Sequence, residues 1–292
     1  MSIDILQEKI RKRKNPFVLE LGFTTTDIPV AFLDEASTPS ESLGEYCRAL
    51  LNGLKGSIPA VRFHFGAFSL LGADGLAQLQ NLLMSASEMK YYVLLDVPDM
   101  LSPAAAEQTA KMLFGENSAF YCDGVVIPGY LGNEILKPLL PYCKKEKKSV
   151  FVVARTGNKT APEVQDLLAG SRLVHTVVAD YANRSGIGTA GKSGYQQVGV
   201  VGPATSADRL RFMRSKYPSV FVLVDGYDYP AANSKNCALA FDKFGHGAAI
   251  CAGASISGAW KQAQSDGTDY LEYAQDALER MKKNLARYSS IL

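Results

Sequence analysis

The sequence predicts a single (β/α)₈ barrel spanning residues 1–292. Short β-rich apolar runs recur about every thirty residues, eight in all, and amphipathic or capped helical stretches lie between most of them. The runs are almost continuously hydrophobic, as strands buried on both faces are, whereas a sheet with one wet face alternates. No Pro/Ser-rich linker divides the series, which favours one barrel over two doubly wound domains.

An amphipathic stretch at 3–13 precedes the first run, "FVLEL" (17–21). A helical pattern at 41–54 leads to "AVRFH" (60–64), and another at 72–89 leads to "YYVLLD" (91–96). Ser102 followed by Pro103 starts the next helix, an N-cap with proline at the first helical position. "GVVI" (124–127) and "SVFVVA" (149–154) are the fourth and fifth strands. Thr160 and Glu163 then have capping-box spacing. "VGVV" (198–201), a helix at 207–216, "VFVLV" (220–224), "AAIC" (248–251) and a helical tail at 269–288 complete the count.

Composition narrows the function classes. Lys plus Arg number 31 against 29 Asp plus Glu, a formal charge of +2, too balanced for the broad positive field that nucleic acid binding needs. No apolar run approaches the roughly 20 residues of a membrane span, and the opening "MSIDILQEKIRKRKNPF" lacks a signal peptide's apolar core and cleavage site, so we expect a cytoplasmic protein without membrane contact. The five cysteines (Cys47, Cys122, Cys143, Cys237, Cys251) are scattered and never spaced as CxxC, and His64, His175 and His246 are isolated. No disulfide framework, metal site or cofactor is expected. Asn158-Lys159-Thr160 fits a glycosylation acceptor only in a secreted protein.

Three short motifs read blandly. "GIGTAG" (186–191) matches GxGxxG, yet it follows "DYANRS" rather than a strand, so a loop between the fifth and sixth units is expected. "KKEKK" (144–148) reads as the solvated end of a helix and its turn. "GASISG" (253–258) follows the eighth strand, where barrels hold phosphate on backbone amides, and it reads equally well as a small-residue turn. Asp96 and Arg62 close the third and second strands, either as groups in the barrel mouth or as halves of a structural ion pair.

The segments "DILQEKIRKRKNPFVLELG", "IPAVRFHFGAFSLLGADGLAQL", "CDGVVIPGYLGNEILKPLL", "VFVVARTGNKTAPEVQDL", "VGVVGPATSADRLRFMR" and "FVLVDGYDYPA" resemble, in order and spacing, the longer-chain bacterial orotidine 5'-phosphate decarboxylases. The resemblance covers nearly the whole chain and implies the same barrel, with a lyase site at the C-terminal ends of the strands. The family carries Asp-x-Lys-Arg-x-Asp after strand three, its lysine protonating the carbon that loses carbon dioxide. Here the segment is Asp96, Val97, Pro98, Asp99, Met100, Leu101, so only the first aspartate is kept. Neither proline nor leucine replaces a proton donor or a carboxylate.

Other family positions differ too. Leu-Asp-Pro after strand one is Leu21, Gly22, Phe23; the lysine of strand two is Arg62; a nearby glutamate is Ser69. Asn-Pro-Tyr after strand four is Pro128, Gly129, Tyr130, and Thr-Ser-Asn after strand five is Thr156, Gly157, Asn158. The phosphate loop after strand seven becomes Asp225 through Ala232, without its glutamine, and the phosphate arginine after strand eight aligns with Gly253 and Ala254. By the resemblance, Asp96 and Arg62 are catalytic remnants, and Thr156, Asn158, Gly226, Gly253 and Ser255 are the ligand-contacting positions.

We therefore expect a catalytically degenerate relative that serves as a binding or partner subunit, with a nucleotide monophosphate or another small molecule as ligand. The alternatives are an active decarboxylase that makes UMP in pyrimidine biosynthesis using Arg62 and Asp96, and a barrel with a new reaction on another, cationic ligand near Asp96, Asp99, Asp225 and Asp228. Arginine is a poor proton donor at neutral pH, its pKa exceeding ~12. In the family, the second aspartate of the strand-three motif crosses a two-fold interface, which implies a homodimer, or a heterodimer with an active paralogue, with Leu101 at the contact.

Overall fold

The structure, a computed structural model, describes residues 1–33, 37–97 and 99–289. Eight parallel strands close into a barrel in which each strand pairs with its sequence neighbour and the first pairs with the last. They are Phe17–Leu21, Ala60–Phe63, Tyr92–Asp96, Gly124–Pro128, Ser149–Val153, Val198–Pro203, Val222–Asp225 and Ala248–Ala252. Every expected strand is found, with ends displaced by no more than two residues. The helices at Ser2–Arg13, Pro39–Gly53, Gly72–Glu88, Ala207–Lys216 and Tyr270–Ala286 match the expected ones closely. No helix among the described residues is long and apolar enough to cross a membrane.

Two apolar layers build the barrel. Alternate strand residues such as Val18, Ala60, Leu94, Val126, Phe151, Val201, Leu223 and Cys251 fill the interior, and the residues between them face the surrounding helices. The period of two is a strand's own geometry, and it fixes which side chains enter the mouth. Continuing the interior rows upward leads from Val18 to Glu20, from Ala60 to Arg62, from Leu94 to Asp96 and from Leu223 to Asp225. The interior is therefore apolar below and charged at its C-terminal rim.

The helix Ser2–Arg13 closes the opposite end. Its buried face, Ile3, Leu6 and Ile10, joins the interior cluster. Asp4 clamps the loop before the sixth strand: its carboxylate accepts from the Ser193 amide (2.8 Å) and hydroxyl (2.6 Å) and from the Lys192 amide (3.1 Å). Burial pushes the Asp4 pKa up, but these bonds outweigh it and bring it down to about 2.

The Ser102 cap forms as expected, its hydroxyl accepting from the Ala105 amide at 3.1 Å with Pro103 in the first turn. The capping box at Thr160 and Glu163 does not. The short helix there is Pro162–Gln165, and the Thr160 hydroxyl takes a hydrogen bond from the Asn158 amide group instead (3.0 Å). "KKEKK" is not solvated throughout. Lys148 is buried, with its Nζ 2.7 Å from the Cys122 carbonyl and 3.9 Å over the Tyr121 ring, because its long stem folds back along apolar surface. Gly186 ends the helix Val174–Gly186, which the sequence reading missed, and the rest of "GIGTAG" is the expected loop.

Candidate functional site

The C-terminal rim of the barrel carries a compact charge cluster centred on Arg62. Strand register sets Glu20 beside Arg62 and Arg62 beside Leu94, two residues below Asp96. The Arg62 guanidinium, 4% exposed, forks onto Asp96 through Nε–Oδ1 (2.7 Å) and Nη2–Oδ2 (3.2 Å). Its Nη1 donates to Glu20 Oε1 at 2.7 Å and lies 3.3 Å from Asp225 Oδ2. Bidentate geometry of this kind makes the strongest charge-assisted hydrogen bonds.

His64, isolated in the sequence, belongs to the same cluster. Its Nδ1 is 2.9 Å from Asp96 Oδ2 and its Nε2 is 3.2 Å from Glu20 Oε1, so each ring nitrogen faces a carboxylate. A ring with both nitrogens donating is an imidazolium. Burial pulls the His64 pKa down, yet hydrogen bonds to Asp96 and Glu20 outweigh it and hold it at about 10. Burial pushes Asp96 up, and the Arg62 charge with the His64 hydrogen bond brings it down to about 2. Burial also weakens the Arg62 charge, but Asp96, Asp225 and Glu20 together hold its pKa well above the ordinary value. Glu20 moves the other way: burial raises it more than Arg62 lowers it.

This arrangement resolves one choice the sequence left open. Arg62 and Asp96 do face the mouth, and they are also partners in an ion pair. The space among Glu20, Asp96 and Asp225 is filled by the guanidinium, and among the described residues no group of three or more His, Cys, Asp or Glu is arranged to hold a metal ion. Asp99 stands apart from the cluster. It is exposed and caps the Leu101 amide at 3.1 Å. Pro98, aligned with the family's proton donor, lies outside the described residues.

The amides after the eighth strand are satisfied from within. Asp228 Oδ2 accepts from the Gly253 and Ala254 amides (2.8 and 3.1 Å), and Oδ1 accepts from Ser255 (2.8 Å). A carboxylate of this chain thus sits where the resemblance places a ligand's phosphate. Gly226 makes the turn that delivers Asp228. Its φ of +79° suits glycine, and a Cβ there would meet the Tyr229 ring at 2.7 Å.

Thr156 and Asn158 are engaged locally rather than with the Arg62 cluster. Gln165 Oε1 accepts from the Thr156 amide at 2.8 Å, and the Thr156 hydroxyl reaches Asn158 Oδ1 at 2.5 Å. The Tyr229 ring lies between Gly157 and Gly226, 3.0 Å from where a Cβ on Gly157 would stand. Of the residues singled out from the sequence, the structure groups Arg62 with Asp96, and Gly253 with Ser255 through Asp228. It joins Asp225, one of the acids expected near the mouth, to the first group and adds Glu20 and His64.

An open cavity of about 400 Å³ lies over the cluster, lined by Glu20, Phe23, His64, Asp228, Gly253 and Lys261 among others. Lys261 is tied to Asp27 at 2.8 Å. The cavity thus has one aromatic wall, Phe23, and its charged lining is already paired: Glu20 with Arg62 and His64, Asp228 with three amides, and Lys261 with Asp27.

No protein-family model matches the chain. It is 28% identical over 288 residues to the orotidine 5'-phosphate decarboxylase of Clostridium perfringens, covering 98% of each chain. It is 26% identical over 287 residues to that of Petrotoga mobilis, again with 98% of each covered. Among solved structures, the OMP decarboxylase of Leishmania donovani aligns with a TM-score of 0.74 at 21% identity over 98% of each chain. The orotidine 5'-monophosphate decarboxylase of Plasmodium berghei gives 0.78 at 15% identity over 99% of each.

Proposed function

Starting from a chain that is homologous over 98% of its length to orotidine 5'-phosphate decarboxylases and shares their barrel, we propose that it is a catalytically degenerate relative, acting as a binding or partner subunit. The observation that carries this reading is the commitment of Arg62. The residue in place of the family's strand-two lysine spends its guanidinium on Asp96, Glu20 and Asp225. Those three carboxylates hold its proton in place, so it has none to deliver at neutral pH.

The remaining chemistry agrees. Decarboxylation in the family needs a lysine that gives a proton to the carbon left behind, and residues 97–101 contain no lysine, histidine or other cation. His64 is the other cation of the mouth cluster, and each of its ring nitrogens faces a carboxylate. With both ring N–H groups given to Asp96 and Glu20, the ring has none directed at a substrate carbon. At the other end of the mouth, Asp228 repels a phosphate and occupies the amides it would use.

A steady-state decarboxylase assay on purified protein free of host enzyme tests the reading. Turnover of orotidine 5'-phosphate is expected at background, because removing groups that act as a unit is not rescued by those that remain. Turnover within tenfold of an ordinary enzyme's kcat overturns it.

The open cavity favours a second reading, in which the mouth still takes a ligand of another class. The Asp228 carboxylate and the Phe23 ring offer one acid and one aromatic face to a small organic cation, which would sit away from the His64 ring. A thermal-shift screen separates the two: stabilisation by cationic metabolites and none by uridine or orotidine monophosphates supports retained binding with changed specificity.

A further inference from the structure

A second, larger groove of about 930 Å³ lies on the outer side of the loops that follow the seventh and eighth strands. It runs between the helix Ala207–Lys216, the short helix Ser234–Ala238 and the end of the helix Tyr270–Ala286. Ser255 lines this groove while Gly253 and Ala254 line the mouth cavity, so the segment bonded to Asp228 is a wall between the two.

The charge of the groove is opposite to that of the mouth. Arg211, Lys235 and Arg287 line it, and no carboxylate does among the described residues. Arg211 has one counter-ion, Asp208 at 2.9 Å, in a pair exposed on both sides and therefore weak. Lys235 and Arg287 have no ion-pair partner among the described residues. With a formal charge of only +2 on the whole chain, three such cations around one cavity are a local concentration. The neutral lining is built for hydrogen bonding. Asn284 and Tyr288 line it with Arg287, and the Tyr227 and Ser234 hydroxyls in its wall are fixed to each other at 3.0 Å.

We propose that this groove binds a small molecule bearing a diphosphate. Two guanidinium forks and an ammonium match an anion of about three charges, and arginine engages phosphate oxygens two at a time. The volume admits a metabolite larger than the diphosphate itself, and the Tyr288 ring supplies a flat apolar wall for the rest of it. The site does not depend on the state of the mouth and stands whether or not the barrel retains decarboxylase activity.

Calorimetry with inorganic pyrophosphate tests this at low and high ionic strength. Saturable one-to-one binding is expected at 50 mM salt, weakening as screening shortens the reach of the cations. The double variant Lys235→Ala/Arg287→Ala should bind at least tenfold more weakly with an unchanged Tm, and each single variant should show part of the same loss. Lys261→Ala, which removes the lysine of the mouth cavity, should bind like the parent. The proposal is overturned by absence of saturable binding, by equal affinity in the double variant, or by loss of binding in Lys261→Ala alone.

Discussion

Arg62 carries more of the barrel mouth than any other side chain. It is nearly fully buried and is the shared partner of three carboxylates. Removing one member of a buried charge group leaves the others uncompensated, at a cost of about 3–5 kcal/mol. Arg62→Met is expected to lower unfolding stability by about that amount in urea titration, and a loss below about 1 kcal/mol would mean that water screens the cluster. His64 sets the alkaline side of the stability profile. Its folded pKa, about 10, lies above its ordinary value, so the stabilisation is complete below the ordinary value and is lost as pH rises through the folded one. The parent should lose stability between roughly pH 6.5 and 10 relative to His64→Gln. Parallel profiles for the two proteins would show that the ring is not held charged. Neither role was visible from His64 alone in the sequence, because its partners lie 44 residues before it and 32 after it.

The loop carrying Asp228 and the short helix Ala254–Ser257 form one closed unit, since Asp228 satisfies two amides of the helix and that of Gly253 just before it. Asp228→Ala frees those amides and removes a negative charge beside them. The Tm of the variant is expected to rise more with added inorganic phosphate than that of the parent, whose response is confined to the outer groove, and an equal response from both would show that the freed amides bind no anion. Strands and site differ in how far the sequence disclosed them, for a physical reason. The strands were legible because a doubly buried strand is a continuous apolar run and needs only local information. Even Glu20, hidden inside "FVLEL", shares the inward parity of Val18, and a polar residue at an inward position near a strand's end was the available signal. Asp228 was visible only as an acid near the mouth, and its bonds to the amides were not, because those partners lie 25 to 27 residues onward. The Thr160 box failed because Asn158 competes for the hydroxyl, and the helix Val174–Gly186 was missed because its Val and Thr residues lower helix propensity.

At the scale of the whole molecule, the strand-three loop presents a surface that one copy leaves uncovered. Met100 packs into the core at 2% exposure while its neighbour Leu101 stands 83% exposed. The loop holds Leu101 outward: Asp99 Oδ1 accepts from the Leu101 amide, the Thr109 hydroxyl donates to the Asp99 carbonyl at 2.7 Å, and Ser102 caps the following helix. Leu70, 73% exposed, follows the short helix Phe65–Ser69 after the adjacent second strand and is a second exposed apolar side chain at this end of the barrel. A single exposed leucine is ordinary, but one fixed outward on a short anchored loop loses little entropy when it is covered. We propose that this rim is the contact of a two-fold pair, in which Leu101 replaces a carboxylate that would be costly to bury. Self-complementarity closes such a pair, and a related chain presenting the same rim fits in place of an identical copy. Light scattering on the parent is expected to give the mass of a dimer, and Leu101→Asp, which restores a charge at the proposed contact, should shift it toward monomer without lowering the Tm of the barrel. A monomeric parent, or a variant that pairs equally well, rules out this rim as the interface.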